Sequence, residues 1–135
     1  MIYHRPIQIE FNHCDPAGIV FYPRYFEMIN SVCENFFMDV ADFPFHRMVA
    51  QRQGVPTARI ETNFHTPSRL GEILDFRLKI ARLGTSSITF DITAWGDTGN
   101  RLTCALTLVW VSPEARPLPW PDDTRANLQA FMEAE

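Results

Sequence analysis

Several kinds of segment are missing from this 135-residue chain, and each absence narrows its function. No apolar run approaches the roughly 20 residues that a membrane-spanning helix needs, so no membrane partner is expected. No run of basic residues is present and the formal net charge is −4, which gives nucleic acid nothing to bind. The segment Met1-Ile2-Tyr3-His4-Arg5-Pro6 lacks the apolar core of a secretory leader, so none is expected. Cysteine is scarce: Cys14, Cys33 and Cys104 are odd in number and far apart, which suggests neither a disulfide framework nor a zinc site. Internal repeats are absent too. What remains is an ordinary globular composition, 46% hydrophobic and 21% charged, long enough for one domain over 1–135 with a real core. A soluble, reduced, cytoplasmic protein is the expectation.

The hydrophobic pattern divides the chain into elements. Residues 7–11 alternate as a short strand would, and from Pro23 to about Val40 the period becomes helical. Phe26, Ile29, Cys33, Phe36, Phe37 and Val40 form one stripe. Met28 and Val32 broaden it, which predicts a helix covered on most sides. A loop with a short helical turn around 47–51 follows. Four alternating segments come next, led by Ala58-Ile60-Thr62-Phe64, Leu74-Phe76-Leu78-Ile80, Ile88-Phe90-Ile92-Ala94 and Leu102-Cys104-Leu106-Leu108-Trp110. The breaks between them, 67–71, 84–86 and 96–100, are turn-like and short, which favours antiparallel neighbours. Pro113, Pro117, Pro119 and Pro121 end the sheet, and a helix from Asp122 to about Met132 closes the chain. The predicted class is α+β: an antiparallel sheet curved around one long helix, the order of the hotdog fold. The second face of the last strand (Ala105, Val109, Val111) is fairly apolar and points to cover by another subunit.

The stretch with chemical potential is Asn12-His13-Cys14-Asp15-Pro16-Ala17-Gly18-Ile19-Val20-Phe21-Tyr22-Pro23. Pro16 restricts Asp15 to extended conformations, Gly18 can adopt positive φ, and Pro23 suits a first helical position. A carboxylate thus stands on a constrained turn before the positive end of a helix, an arrangement suited to chemistry on a polarised carbonyl. The bland alternative for Asp15 is an Asx-turn, the commonest use of Asp before Pro. His13-Cys14-Asp15 is not read as a triad, because neighbours in an extended segment point to alternate sides. Cys14 is expected to be a small buried side chain and His13 to make a local hydrogen bond.

His13-Cys14-Asp15-Pro16-Ala17-Gly18-Ile19-Val20-Phe21-Tyr22-Pro23-Arg24-Tyr25 resembles the active-site segment of the 4-hydroxybenzoyl-CoA thioesterases. Thr66-Pro67 and Gly71-Glu72 extend the likeness. The resemblance implies an acyl-CoA thioesterase in which Asp15 is the base or nucleophile and the Tyr22 N–H polarises the thioester carbonyl, with no cofactor and no metal. It further implies a homodimer at least, often a homotetramer, with the site between subunits. Tyr25 is expected at the acyl pocket, with Phe26 beside it. Asn30 stands where hydroxybenzoyl-specific members carry an acid, and Phe45 where they carry a tryptophan. The resemblance therefore implies the hydrolytic step and an aromatic or short acyl group, not the hydroxybenzoyl substrate. Arg82, Ser86 and Ser87 flank a turn where CoA phosphates lie in related proteins, and His65 sits where it could approach the acyl group. Glu27 and Glu34 rank behind Asp15 as catalytic acids. Two other readings stand beside the hydrolase: a hotdog hydratase or dehydratase, for which His13 and His65 are the candidate proton carriers, and a non-catalytic acyl-CoA-binding dimer.

Overall fold

The computed structural model describes residues 1–135. In chain order it contains β1 (Tyr3–Gln8), a 3-10 turn (Phe11–His13), α1 (Pro23–Asp39), α2 (Phe45–Ala50), β2 (Thr57–Phe64), β3 (Ile73–Leu83), β4 (Ser87–Gly96), β5 (Gly99–Val109) and α3 (Asp122–Glu133). The five strands form one antiparallel sheet in the order β1-β3-β4-β5-β2.

The alternation seen in the sequence becomes the inner face of this sheet. Leu74, Phe76, Leu78 and Ile80 of β3, Ile88, Phe90, Ile92 and Ala94 of β4, and Leu102, Cys104, Leu106 and Leu108 of β5 are all buried. Each large side chain so buried stabilises by about 1.5–3 kcal/mol relative to exposure. Against them lie Tyr25, Met28, Ile29, Val32, Cys33, Phe36 and Phe37 of α1. The Phe36 ring meets Phe90 edge-on at 5.1 Å and Phe131 of α3 at 5.3 Å. Trp110 and Trp120 stack at 6.1 Å and close the far end of the core.

Three expectations are corrected. The first strand lies at 3–8 rather than 7–11. Tyr3, Arg5 and Ile7 face inward, Pro6 is tolerated because β1 is an edge strand, and the chain leaves the sheet as the Glu10 N–H donates to His13 Nδ1 (2.8 Å) to fix the 3-10 turn. Second, α1 is not covered on most sides: Glu27, Asn30, Glu34 and Met38 form an exposed stripe at spacings of three and four. Third, β2 and β3 are not neighbours. β2 pairs with β5, so the connection 65–72 crosses the end of the sheet past two strands, about 14 Å at the usual spacing. Eight residues reach easily.

That crossing positions the site. The connection from β1 to α1 must round the same end of the sheet, and the two meet there. Val20 donates its N–H to Ser68 O (2.9 Å), Leu70 to Gly18 O (3.1 Å) and Gly71 to Ile9 O (2.8 Å). At the edge, β2 keeps its alternation but is exposed along nearly its whole length, with Ile60 at 42% and Phe64 at 43%.

Candidate active site

The loop from His13 to Tyr22 closes on itself. Cys14 and Val20 form an isolated bridge, Asp15 donates its N–H to Ile19 O (3.0 Å), Gly18 to Asp15 O (2.9 Å), and Phe21 to His13 O (2.9 Å). Gly18 sits at φ +79°, the left-handed region, with open space where a Cβ would stand. Gly18→Ala therefore carries a backbone penalty alone, about 1–2 kcal/mol, readable as a lowered midpoint in thermal or urea unfolding.

Asp15 is half-buried, and its Oδ1 accepts the Ala17 N–H at 2.8 Å. The Asx-turn expected of Asp before Pro is thus present, and it occupies only one oxygen; Oδ2 has no partner in the chain. At the other end of the loop Tyr22 caps α1, with Pro23 at the first helical position. The N–H groups of Val20 and Phe21 are used, and Arg24 and Tyr25 donate back to Phe21 O and Tyr22 O. The Tyr22 N–H alone among these finds no acceptor, and it lies at the positive end of a 17-residue helix.

One apolar space adjoins this loop and a second lies beyond Phe26. A cleft of about 190 Å³ is lined by Tyr22, Tyr25, His65 and Arg101 among others. Phe64 is its hub: its ring stacks on Tyr25 at 5.5 Å and meets Phe26 at 6.1 Å and Tyr22 at 6.2 Å. Phe26 in turn opens the second space, a cavity of about 340 Å³ between α1, α2, β2 and β5. Asn30 and Thr57 supply its polar side chains; Ile29, Cys33, Phe45, Ile60 and Leu106 supply apolar wall. Burial pushes the Cys33 thiol up to about 12, so Cys33 is a wall and not a nucleophile at neutral pH.

The structure thus places Asp15, Gly18 and Tyr22 on one closed loop, Tyr25 and His65 with Tyr22 in the adjoining cleft, and Asn30 with Phe45 in the larger cavity. Tyr25 is also a buried donor, its OH 2.9 Å from Ser68 Oγ. The exposed His65 pairs through Nε2 with Thr103 Oγ1 at 3.0 Å. His13 makes the local bond anticipated for it, Cys14 is half-buried, and Glu27 is an exposed partner of Arg24 at 2.7 Å. Arg82, Ser86 and Ser87 lie elsewhere, at the far end of β3 from the loop, about 30 Å away within one chain. The sequence pattern does not single out Phe64, which reads as one more apolar strand residue. Nor does it mark Val55, Thr57, Ile60 or Leu106 as cavity wall, since they converge only once β2 docks on β5.

Behind the loop is an ion pair between the buried Arg101 and the half-buried Glu72. Arg101 Nη2 lies 2.7 Å from Glu72 Oε2 and Nη1 lies 3.1 Å from Oε1. The Arg101 hydrogen bonds hold the Glu72 carboxyl below the usual carboxylate range, although its partial burial opposes this. A carboxyl lowered on folding contributes stability that is complete above the ordinary Glu value and lost as pH falls through the lower folded value. Urea midpoints measured from about pH 6 down to about pH 3 should fall in wild type and fall less in Glu72→Gln.

Residues 17–103, well over half of the chain, match the model of the thioesterase superfamily, and the chain belongs to that family. The curated 4-hydroxybenzoyl-CoA thioesterase of Pseudomonas sp. (strain CBS-3) is 36% identical over 56 residues. That match spans 42% of this chain and only 40% of the relative's length. Among solved structures, a gentisyl-coenzyme A thioesterase superposes with a TM-score of 0.83 at 23% identity, over 95% of this chain and 99% of that one. A 1,4-dihydroxy-2-naphthoyl-CoA thioesterase from Synechocystis gives 0.89 at 14% identity, over 99% and 100%. A Staphylococcus aureus protein solved in complex with CoA gives 0.91 at 11% identity, over 98% and 85%. At these identities the structural likeness speaks for the fold, an α+β hotdog sheet with three helices. No helix is long and apolar enough to cross a membrane.

Proposed function

We propose that the protein is an acyl-CoA thioesterase, releasing a free acid and CoA. The observation that carries this reading is the pairing, on one closed loop, of an Asp15 oxygen without a partner and a Tyr22 N–H without an acceptor. In the mechanism, the thioester oxygen accepts the Tyr22 N–H at the start of α1, where negative charge developing on that oxygen is stabilised. Asp15 then takes a proton from the attacking water, the new C–O bond forms, and the C–S bond breaks. The departing sulfur recovers the proton from Asp15. Asp15 acting as nucleophile gives the same products through an acyl anhydride.

The acyl group occupies the space running from Phe26 to Phe45, with the Asn30 amide its main polar contact. Its volume and apolar wall favour an aromatic or short acyl group, and three of the four proteins named above are thioesterases of aromatic acyl-CoA esters by name. His65, Tyr25 and Gly18 shape the entrance. Arg82, Ser86 and Ser87 bind CoA phosphates; their distance from the loop within one chain makes the partner subunit their route to the site. The exposed β2 edge and the outward stripe of α1, two unpartnered surfaces beside the cavity, support a homodimer and a homotetramer built from it. A second copy there would also complete the picture of a sheet around a central α1. Three free cysteines suit the reducing cytoplasm.

A panel of benzoyl-, hydroxybenzoyl-, phenylacetyl-, short-chain and long-chain acyl-CoA esters, followed by thiol release, tests the reading. Aromatic or short esters should turn over best. Absence of thiol release across the panel, with tight CoA-ester binding, would return the protein to the binding-dimer reading. A hydrated or dehydrated ester without free thiol would make it a hydratase.

A further inference from the structure

Arg101 is the one charged residue fully buried in the chain, at 2% exposure, and the hydrolytic steps above do not use it. Four of its five hydrogen bonds go to the crossing from β2 to β3, and its Nε has no partner. Nη1 donates to Pro67 O (3.2 Å), Ser68 Oγ (3.2 Å) and Glu72 Oε1, while Nη2 donates to Glu72 Oε2 and to Thr98 Oγ1 (3.0 Å). Glu72 Oε1 also accepts the Arg69 N–H at 2.7 Å. The same short segment supplies the main-chain groups that anchor the Asp15 loop: Ser68 O for Val20 and the Leu70 N–H for Gly18. Ser68 Oγ holds the Tyr25 hydroxyl as well, in the first turn of the helix that Tyr22 caps. The guanidinium fits because residue 96 is glycine; a Cβ there would lie 2.5 Å from Nη2 and 2.7 Å from Cζ.

We infer that Arg101, with Glu72, is a positioning residue for the reaction: it holds the 67–72 crossing in the geometry that anchors the Asp15 loop and aims the Tyr22 N–H. For stability alone an ion pair that buries a guanidinium is a poor device, since apolar side chains of equal volume often serve as well. An apolar pair cannot grip a carbonyl, a hydroxyl and a carboxylate of one segment at once, which is what the planar fork does. The link to turnover rests on the thioesterase reading; the link to loop geometry does not.

The test uses Arg101→Lys, which keeps the charge and loses the fork, and Gly96→Ala, which crowds the guanidinium without removing any group. Two readouts are taken on each folded variant. Amide exchange at Val20 and Leu70 should quicken by about tenfold or more, the loss of one hydrogen bond to a charged group, while Phe90 and Leu106 in the central ladder stay protected. With the best ester of the panel, kcat should fall by up to about 100-fold, the scale of a 1 Å misplacement, with KM little changed. Unchanged exchange at Val20 and Leu70 in both variants overturns the inference. So does a uniform rise across all four amides with kcat per folded molecule intact, which is the signature of a purely structural pair. If Arg101→Lys does not fold, Gly96→Ala decides. If the wild type releases no thiol, the thioesterase reading fails by itself and the exchange data still decide the positioning role.

Discussion

Asp15→Asn is expected to lower kcat for thiol release by about 100- to 10,000-fold, the range lost with a general base, while KM and the melting temperature stay near wild type. The expectation follows from how the carboxylate is held. Its Oδ1 accepts the Ala17 N–H at 2.8 Å, and an asparagine carbonyl can accept the same bond, so the turn survives the substitution. The amide cannot take a proton from water or attack a carbonyl carbon. A fall in kcat without a rise in KM is the mark of a group that acts only in the transition state. Activity equal to wild type in this variant would leave Asp15 with the Asx-turn as its whole role. Single turnover in 18O-labelled water then separates the two mechanisms, because only a nucleophilic Asp15 delivers unlabelled oxygen to the first product.

Phe36→Ala should cost about 3–5 kcal/mol, the largest stability effect expected of any single truncation here. Phe36 is fully buried in the last turn of α1 and touches four rings: Tyr3 at 5.7 Å, Phe37 at 5.8 Å, Phe90 at 5.1 Å and Phe131 at 5.3 Å. Those rings belong to β1, α1, β4 and α3, so the cavity would open where four elements meet and none could collapse into it alone. Domains of this kind are stable by only about 5–15 kcal/mol, and the loss would remove a large share. Urea unfolding would show a lower midpoint at unchanged slope. Phe11→Ala is the internal control: at 84% exposure it should move stability by no more than about 0.5 kcal/mol.

The inner face of β3, β4 and β5 and the start of α1 at Pro23 were legible because each is a local property, a period of two or a residue fitted to one backbone position. The placement of β2 was not. Alternation says which face of a strand is apolar and is silent about its neighbour, so Ala58-Ile60-Thr62-Phe64 reads the same beside β3 as beside β5. The exposed stripe of α1 was hidden for a related reason: Met38 and Asn30 do not look polar enough to mark an outer face against so many apolar neighbours. In the candidate site, a constrained turn carrying Asp15 and Gly18 just before a helix that starts after Tyr22 could be read from twelve consecutive residues. Phe64 and Arg101 could not, since their partners lie 38 or more and 29 positions away. Arg101 looks like a turn residue until Glu72 is brought against it.

The crossing from β2 to β3 also dictates when the site can exist. Local contacts alone can close the turn at Asp15, yet the Ser68 carbonyl that anchors it arrives only after a chain segment some fifty residues later has spanned the sheet and β2 has found β5. Closing that loop carries an entropic cost that no early contact offsets. Core burial and anchoring of the Asp15 loop are therefore separable events in assembly, and anchoring comes second. A chain stalled before β2 docks would have a sheet, a helix and an Asp15 turn with nothing to hold it in place.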